Sequence, residues 1–378
     1  MTTFKAVLRG GNIALLMAAL CGCSRDEARK KESSSTGDPV NTKKDNSGLY
    51  LAPASASEAR ATAVLPAKGS EDVSHLLGKI ELTPLAKVAP GKEEYLPSEN
   101  VDWVLTAKFD GDPRLDPKTV SGLFDEVWRK KHGSFSSYGR AADNGCWTFL
   151  LSVDGPAAIT ELKLAWDYVD PLNPDVAIPI ESVFKQRMDE VGNKLNSLSK
   201  CKISATLTPV AAVTRAKALK ELKATCNVSA ILILKAPTGQ RFDGLLIWDV
   251  MLCLGLKWGD MDCFHWENPS REGDDFFFSV ETSTPPGYFL PEQIAAGRVK
   301  VDDLVFVFSV PRSCEPTKVF DSMSKAIEYC QRRLKGNITD ENGRPADLTK
   351  IKDRISNIER RLREAGFEPG RNGTLRLF

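Results

Sequence analysis

LGLKWGDMDCFHW, residues 254–266, decides how the C-terminal half of this chain is read. Cys263 and His265 stand two apart, Asp260 and Asp262 lie beside them, and Trp258 and Trp266 flank them. Those residue types suit either a metal site or a strand. Successive side chains of a strand point to opposite faces. A strand over about 258–266 sends Leu256, Trp258, Asp260, Asp262, Phe264 and Trp266 one way, and Lys257, Met261, Cys263 and His265 the other. Cys263 and His265 then share a face, but two ligands on one strand fall short of a zinc site. The chain has three histidines, His75, His132 and His265, and none is set by sequence near a nucleophile and an acid. No phosphate loop, triad order, CxxC cluster or paired-acid motif occurs. The stretch reads as architecture, and no metal, cofactor or enzymatic activity is expected.

Working outward, residues 229–235 form an apolar strand, and a helix runs from about Asp243 to Leu254, ending at Gly255, a residue suited to the left-handed cap. Strands follow near 275–281 and 302–310, then helices over about 317–334 and 347–365 with a short strand at 336–339 between them. This order has an earlier echo. WVLTAKFDGDPRLDPKTVSGLFDEVW…NGCWTFLLSV (103–153) parallels AILILKAPTGQRFDGLLIWDVML…GDDFFFSV (230–280), and residues 183–222 parallel 319–358, with Pro209 and Pro345 at matching places. Equal spacing across two blocks implies a tandem repeat of about 130 residues. The expected fold is α+β: tandem split β-α-β domains over 101–226 and 227–378, each a mostly antiparallel sheet with helices on one face.

The N-terminus differs. Lys5 and Arg9 precede the apolar run Ile13–Leu20, a basic region followed by a core too short to span a bilayer unaided. Leu20-Cys21-Gly22-Cys23 resembles the bacterial lipobox, which implies a signal peptide over 1–22, cleavage before Cys23 and a lipid on its thiol. The alternative is an uncleaved anchor that leaves the chain facing the cytoplasm from the inner membrane. Residues 23–100 are rich in Ser, Lys, Pro, Ala and charge without a sustained apolar period, and are expected to be a disordered tether. As random coil it would span on the order of 50 Å. A short helix near Ser74–Leu82 is compatible with the sequence. Nine cysteines become seven once Cys21 and Cys23 are set aside, an odd number that leaves at least one thiol unpaired. The 51 basic residues against 50 acidic ones give no field that would attract nucleic acid.

Gly255-Leu256-Lys257-Trp258-Gly259-Asp260-Met261 resembles the Gly-Phe-x-Phe-Gly-Asp-Met segment of the ZipA C-terminal domain family. Gly239, Asp243-Gly244, Phe278-Ser279-Val280, Pro286-Gly287-x-Phe289 and Val310-Pro311 fall in co-linear order with other family features, so the resemblance covers about 228–366. It implies a sheet with helices on one face and, on the other, a shallow groove that takes a short hydrophobic peptide such as the tail of the division protein FtsZ. Ser229 and Ser283 stand where the family carries larger apolar groove residues.

Strands 230–234 and 304–308 are apolar at every position, as in a sheet covered on both faces. With Leu304, Phe306 and Phe308 toward the helices, Val305 and Val307 line the other side with Ile231, Ile233, Lys235 and Met261. Two coverings suit that side: a short peptide or the sister repeat. The matching strand of the first repeat, 162–168, places Lys163, Ala165 and Asp167 outward, with Asp167 in the place of Val307. An unpaired carboxylate is costly in an apolar groove, so the first repeat reads as a diverged copy that binds no hydrophobic peptide. Two functions follow. One is a membrane-tethered, ZipA-like binding protein of cell division and septum assembly. The other is an exported envelope lipoprotein that reuses the fold for a partner other than FtsZ.

Overall fold

The computed structural model describes residues 65–82, 94–111, 113–153, 155–170, 176–270 and 272–378. The expected signal peptide, the expected lipidation residue Cys23 and the expected tether up to residue 64 and over 83–93 lie outside the described residues. No described helix is long and apolar enough to cross a membrane.

Two antiparallel sheets carry the fold. The first contains β1 (Asp102–Phe109), β2 (Ser136–Ala141), β3 (Trp147–Phe149), β4 (Ile159–Asp167) and β5 (Cys201–Ala205) in the order β3-β2-β4-β1-β5. Its helices are α1 (Pro117–Gly122), α2 (Glu126–His132), α3 (Glu181–Asn196) and α4 (Pro209–Cys226). The second unit begins with β6 (Ser229–Lys235). A two-residue strand, β7 (Phe242–Asp243), leads into α5 (Gly244–Cys253), and then come β8 (Lys257–Trp258), β9 (Phe264–Glu267) and β10 (Phe276–Glu281). Next are α6 (Pro291–Ala295), β11 (Lys300–Val301), β12 (Asp303–Ser309), α7 (Pro316–Leu334), β13 (Asn337–Thr339), α8 (Leu348–Glu364) and α9 (Asn372–Leu377). The sheet order is β13-β6-β12-β10-β9-β8, and β7 with β11 makes a separate two-stranded ribbon.

Local chemistry explains where the helices start. Asp243 accepts from the amides of Leu245 and Leu246, Asp347 from Lys350, Asp125 from Trp128 and Thr208 from Ala211, each satisfying an orphan donor of a first turn. Proline sits in the first turn of α1, α4, α6 and α7, where its missing N–H costs nothing. Along α7, Val319, Phe320, Met323, Ala326, Ile327, Cys330 and Leu334 are buried at helical spacing, a single apolar stripe laid on the sheet.

The central strands of the two sheets pair in matching register. Val104 pairs with Ala165 as Ile231 pairs with Val307, and Thr106 lies between Lys163 and Ser204 as Ile233 lies between Val305 and Thr339. In 183–222 and 319–358 the order helix, short strand, helix recurs, as α3, β5 and α4 and as α7, β13 and α8. Two expectations are corrected. The likeness of 147–153 to 274–280 does not reflect equivalent strands: β10 lies beside β12, whereas β3 is the outer strand and β2 takes the inner place. The expected strand 258–266 is broken into β8 and β9 by a 3-10 turn, Asp260–Asp262, in which Met261 and Asp262 both have φ of 56°. Left-handed backbone cannot continue a pleat.

The tether expectation is corrected for its described part. Residues 65–82 are docked on the helical side of the second sheet. Leu65 and Leu77 are buried, Trp248 Nε1 donates to the Pro66 carbonyl at 3.0 Å, and the Val73 amide donates to the Cys253 carbonyl at 2.9 Å. Ser322 Oγ donates to the Leu77 carbonyl, and Arg333 links Glu71 to Asp249. The helix near Ser74–Leu82 is a single 3-10 turn, Ser74–Leu76. The partners of this strap lie about 180 to 260 residues away, so no local pattern in its own sequence announced it.

The two halves are joined at their helices and the C-terminus. Arg361 reaches Thr225, Arg215 stacks over Phe367, and Arg376 of α9 crosses to the first sheet. The seven described cysteines are all free thiols.

Candidate functional site

The side of the second sheet away from its helices is the candidate site. Leu232, Leu234, Val280, Leu304 and Phe306 point to the helices and are fully buried. Alternate residues point away. Ile231, Val307 and Ser279 form one row across β6, β12 and β10, and Ile233, Val305 and Glu281 form the next. All six are half-buried, and at one edge Ile231 lines a cleft shared with Arg354, Ile355 and Ile358 of α8. Ile231, Ile233, Val305 and Val307 therefore come together as one apolar patch, four β-branched residues in adjacent register.

The two remaining groove candidates sit at its margins. Met261 is 59% exposed on the 3-10 turn. That turn is fastened to the open side by His265, which shares a row with Ser279: one ring nitrogen is 2.8 Å from Ser279 Oγ and the other 2.7 Å from the Asp260 carbonyl oxygen. Burial lowers the His265 pKa, and the ring stacks on Phe276 with centroids 3.9 Å apart. Lys235 is exposed at the opposite margin, opposite Asp303, with its Nζ at the turn containing Gly343. Cys263, expected beside His265, is buried, and its thiol donates to the Met261 carbonyl. No group of three or more His, Cys, Asp or Glu able to hold a metal occurs among the described residues.

Sequence reasoning passed over Ser279 and Glu281. Their signal was available, because alternation along Phe278-Ser279-Val280-Glu281 puts both on the open side. Ser283 is held by Asp303: its amide donates to Asp303 Oδ1 and its hydroxyl to Asp303 Oδ2.

The same side of the first sheet is closed. Val104, Ala165 and Tyr138 there are 0, 4 and 6% exposed and form a cluster of their own with Trp147. The chain preceding β1 crosses them. The Tyr95 amide donates to the Trp147 carbonyl on the outer strand, the Tyr95 ring lies 5.5 Å from Phe149, Pro97 is buried, and Ser98 reaches Asp102 on β1. Arg376 seals the end, contacting Asp102 through both Nη atoms at 2.5 and 2.6 Å and Asp167 at 2.6 Å. The carboxylate expected to spoil this face is therefore paired, and it occupies the place of Ser309, one row beyond that of Val307.

Fold and site define a class: an α+β domain whose sheet lays its long helix α7 on one side and turns a half-buried apolar patch to the other. The sequence comparisons make it particular. Residues 229–356 match the family described as ZipA, C-terminal FtsZ-binding domain. Two relatives named cell division protein ZipA are similar to this chain. That of Marinobacter nauticus is 27% identical over 131 residues, 34% of this chain and 38% of the relative. That of Pseudomonas entomophila is 27% identical over 154 residues, 40% of this chain and 51% of the relative. The chain thus spans about half the length, or less, of these curated relatives.

Proposed function

We propose that this chain is a membrane-tethered, ZipA-like binding protein of the division apparatus, whose second sheet takes a short apolar peptide such as the FtsZ tail and performs no chemistry on it. The carrying observation is the patch of Ile231, Ile233, Val305 and Val307, half-exposed in adjacent register, while the equivalent side of the first sheet is sealed by the chain itself. Exposed contiguous apolar surface in a folded domain marks a place where something docks. The family match over the same residues supports the choice of peptide. The strap adds a direction: residue 65 enters on the helical side, so the patch faces away from the incoming chain. Anchoring is through Cys23, or through an uncleaved N-terminal segment.

Titration of a labelled FtsZ C-terminal peptide against the full chain tests this reading. Binding is expected, and Val307→Asp or Met261→Glu should weaken it at least about tenfold, the cost of desolvating a charge in an apolar contact. Absence of binding, or binding indifferent to both substitutions, would sink it. A second reading, an exported lipoprotein gripping another apolar segment, draws on Leu20-Cys21-Gly22-Cys23. Palmitate labelling lost in Cys23→Ser, together with activity of a periplasm-specific reporter fused at the C-terminus, would favour it over a cytoplasmic FtsZ partner.

A further inference from the structure

We infer that the segment taken by the second sheet carries a basic side chain that pairs with Glu281. This rests on the reading of the patch as a peptide site and specifies its ligand. Glu281 lies in the same row as Val305 and Ile233, so a peptide that covers those two residues covers the carboxylate as well. Among the described residues no cation pairs with its charge. Asp303, its charged neighbour, has the same sign and is already occupied by Thr282 and Ser283. Lys235, the base on this side of β6, is opposite Asp303 with its ammonium at the Gly343 turn. Burial and the Asp303 charge already push the Glu281 carboxyl above its ordinary value, so its surroundings disfavour the anion before any ligand arrives.

The first sheet shows the contrast. There Tyr138 takes the place of Glu281 and Lys163 that of Val305, so the covered face holds a neutral phenol and carries its own cation. That lysine lies 4.9 Å from the centre of the Trp147 ring. In the second sheet the anion is present, and no described residue supplies a cation to it. A docked apolar segment would remove the remaining water from Glu281, and stranding a charge in that way is costly unless a partner meets it. A lysine or arginine in the ligand supplies that partner and fixes the register of the peptide on the sheet.

The test uses FtsZ-tail peptides in which each position in turn is lysine, paired with peptides carrying norleucine at the same position. Each is titrated against the full chain and against Glu281→Gln. At one position lysine is expected to bind wild type about fivefold tighter than norleucine, the scale of a partly exposed ion pair, with the margin shrinking as salt is raised. In Glu281→Gln that margin should vanish, and a cooperative urea unfolding transition shows that the variant is folded. Peptides that bind without any lysine preference, or with one that survives in Glu281→Gln, overturn the inference and leave the peptide site standing. If no peptide of either set binds either protein, the peptide site and the inference fall together.

Discussion

The two sheets share strand order at their centres and pair in the same register, yet one side is closed in the first and open in the second. At Ile231 and Val307 the second sheet has β-branched side chains in partial contact with water. At the equivalent Val104 and Ala165 the first sheet has smaller ones under a lid of residues 94–101. Hairpin order, lid and latch all differ, and the strap 65–82 is docked on the helical side of the second sheet. A face becomes a site when nothing in the same chain covers it, and that is set by distant segments rather than by the strand that bears it.

The contrast can be tested by placing one charge on each face. Val104→Asp should cost about 3 kcal/mol or more, because the new carboxylate would be fully buried without a partner. Ile231→Asp, at the matching position, should cost about 1 kcal/mol, since it stays half in water. Urea unfolding of both variants measures the difference, and equal losses would mean that the second face is as closed as the first. Next in size is Arg376→Ala. Asp102 is 1% exposed and would lose its bidentate cation, for a loss of about 2–4 kcal/mol, kept to that range because the arginine is itself partly exposed. Faster hydrogen exchange in β1 should accompany it. An unchanged midpoint would show that α9 does not latch the first sheet.

Gly69→Val addresses the strap. A Cβ there would lie 2.4 Å from the Cys253 amide nitrogen, so the strap must lift, at a cost of about 1–3 kcal/mol. Limited proteolysis should then cut within 65–82 while the second sheet survives. The smallest expected effect is a pH dependence at His265. Burial lowers its pKa, so the folded state favours neutral imidazole. The unfolded chain takes up a proton near pH 6.5. Stability is therefore full above that pH, declines as pH falls through it toward the folded value, and levels off below. A flatter profile in His265→Asn, read from thermal unfolding midpoints, checks the assignment.

Much of this was legible in single segments. The helices expected over 317–334 and 347–365 are α7 and α8 to within a residue at each end, because their apolar stripes and terminal signals are local. Alternation in 229–235 and 302–310 correctly separated the helix side from Ile231, Ile233, Val305 and Val307. The failures have a common cause. The break at Met261 depends on His265 and Ser279 holding the turn, the strap depends on α5 and α7, and the pairing of Asp167 depends on a residue 209 positions away. Glu281 was missed although its face was readable, since alternation says which way a side chain points and nothing about whether an opposite charge awaits it.

The sequence by itself determined α7 and α8, the α+β class, the ZipA likeness of the C-terminal half and the sides of β6 and β12 that meet helices, because caps, periodicity and short motifs act over a few residues. Only the tertiary structure decided which of two equivalent faces is free, which part of the expected tether is docked, and which carboxylate lacks a partner. Those outcomes rest on contacts between segments far apart in the chain, where burial and charge pairing are settled by what arrives from elsewhere.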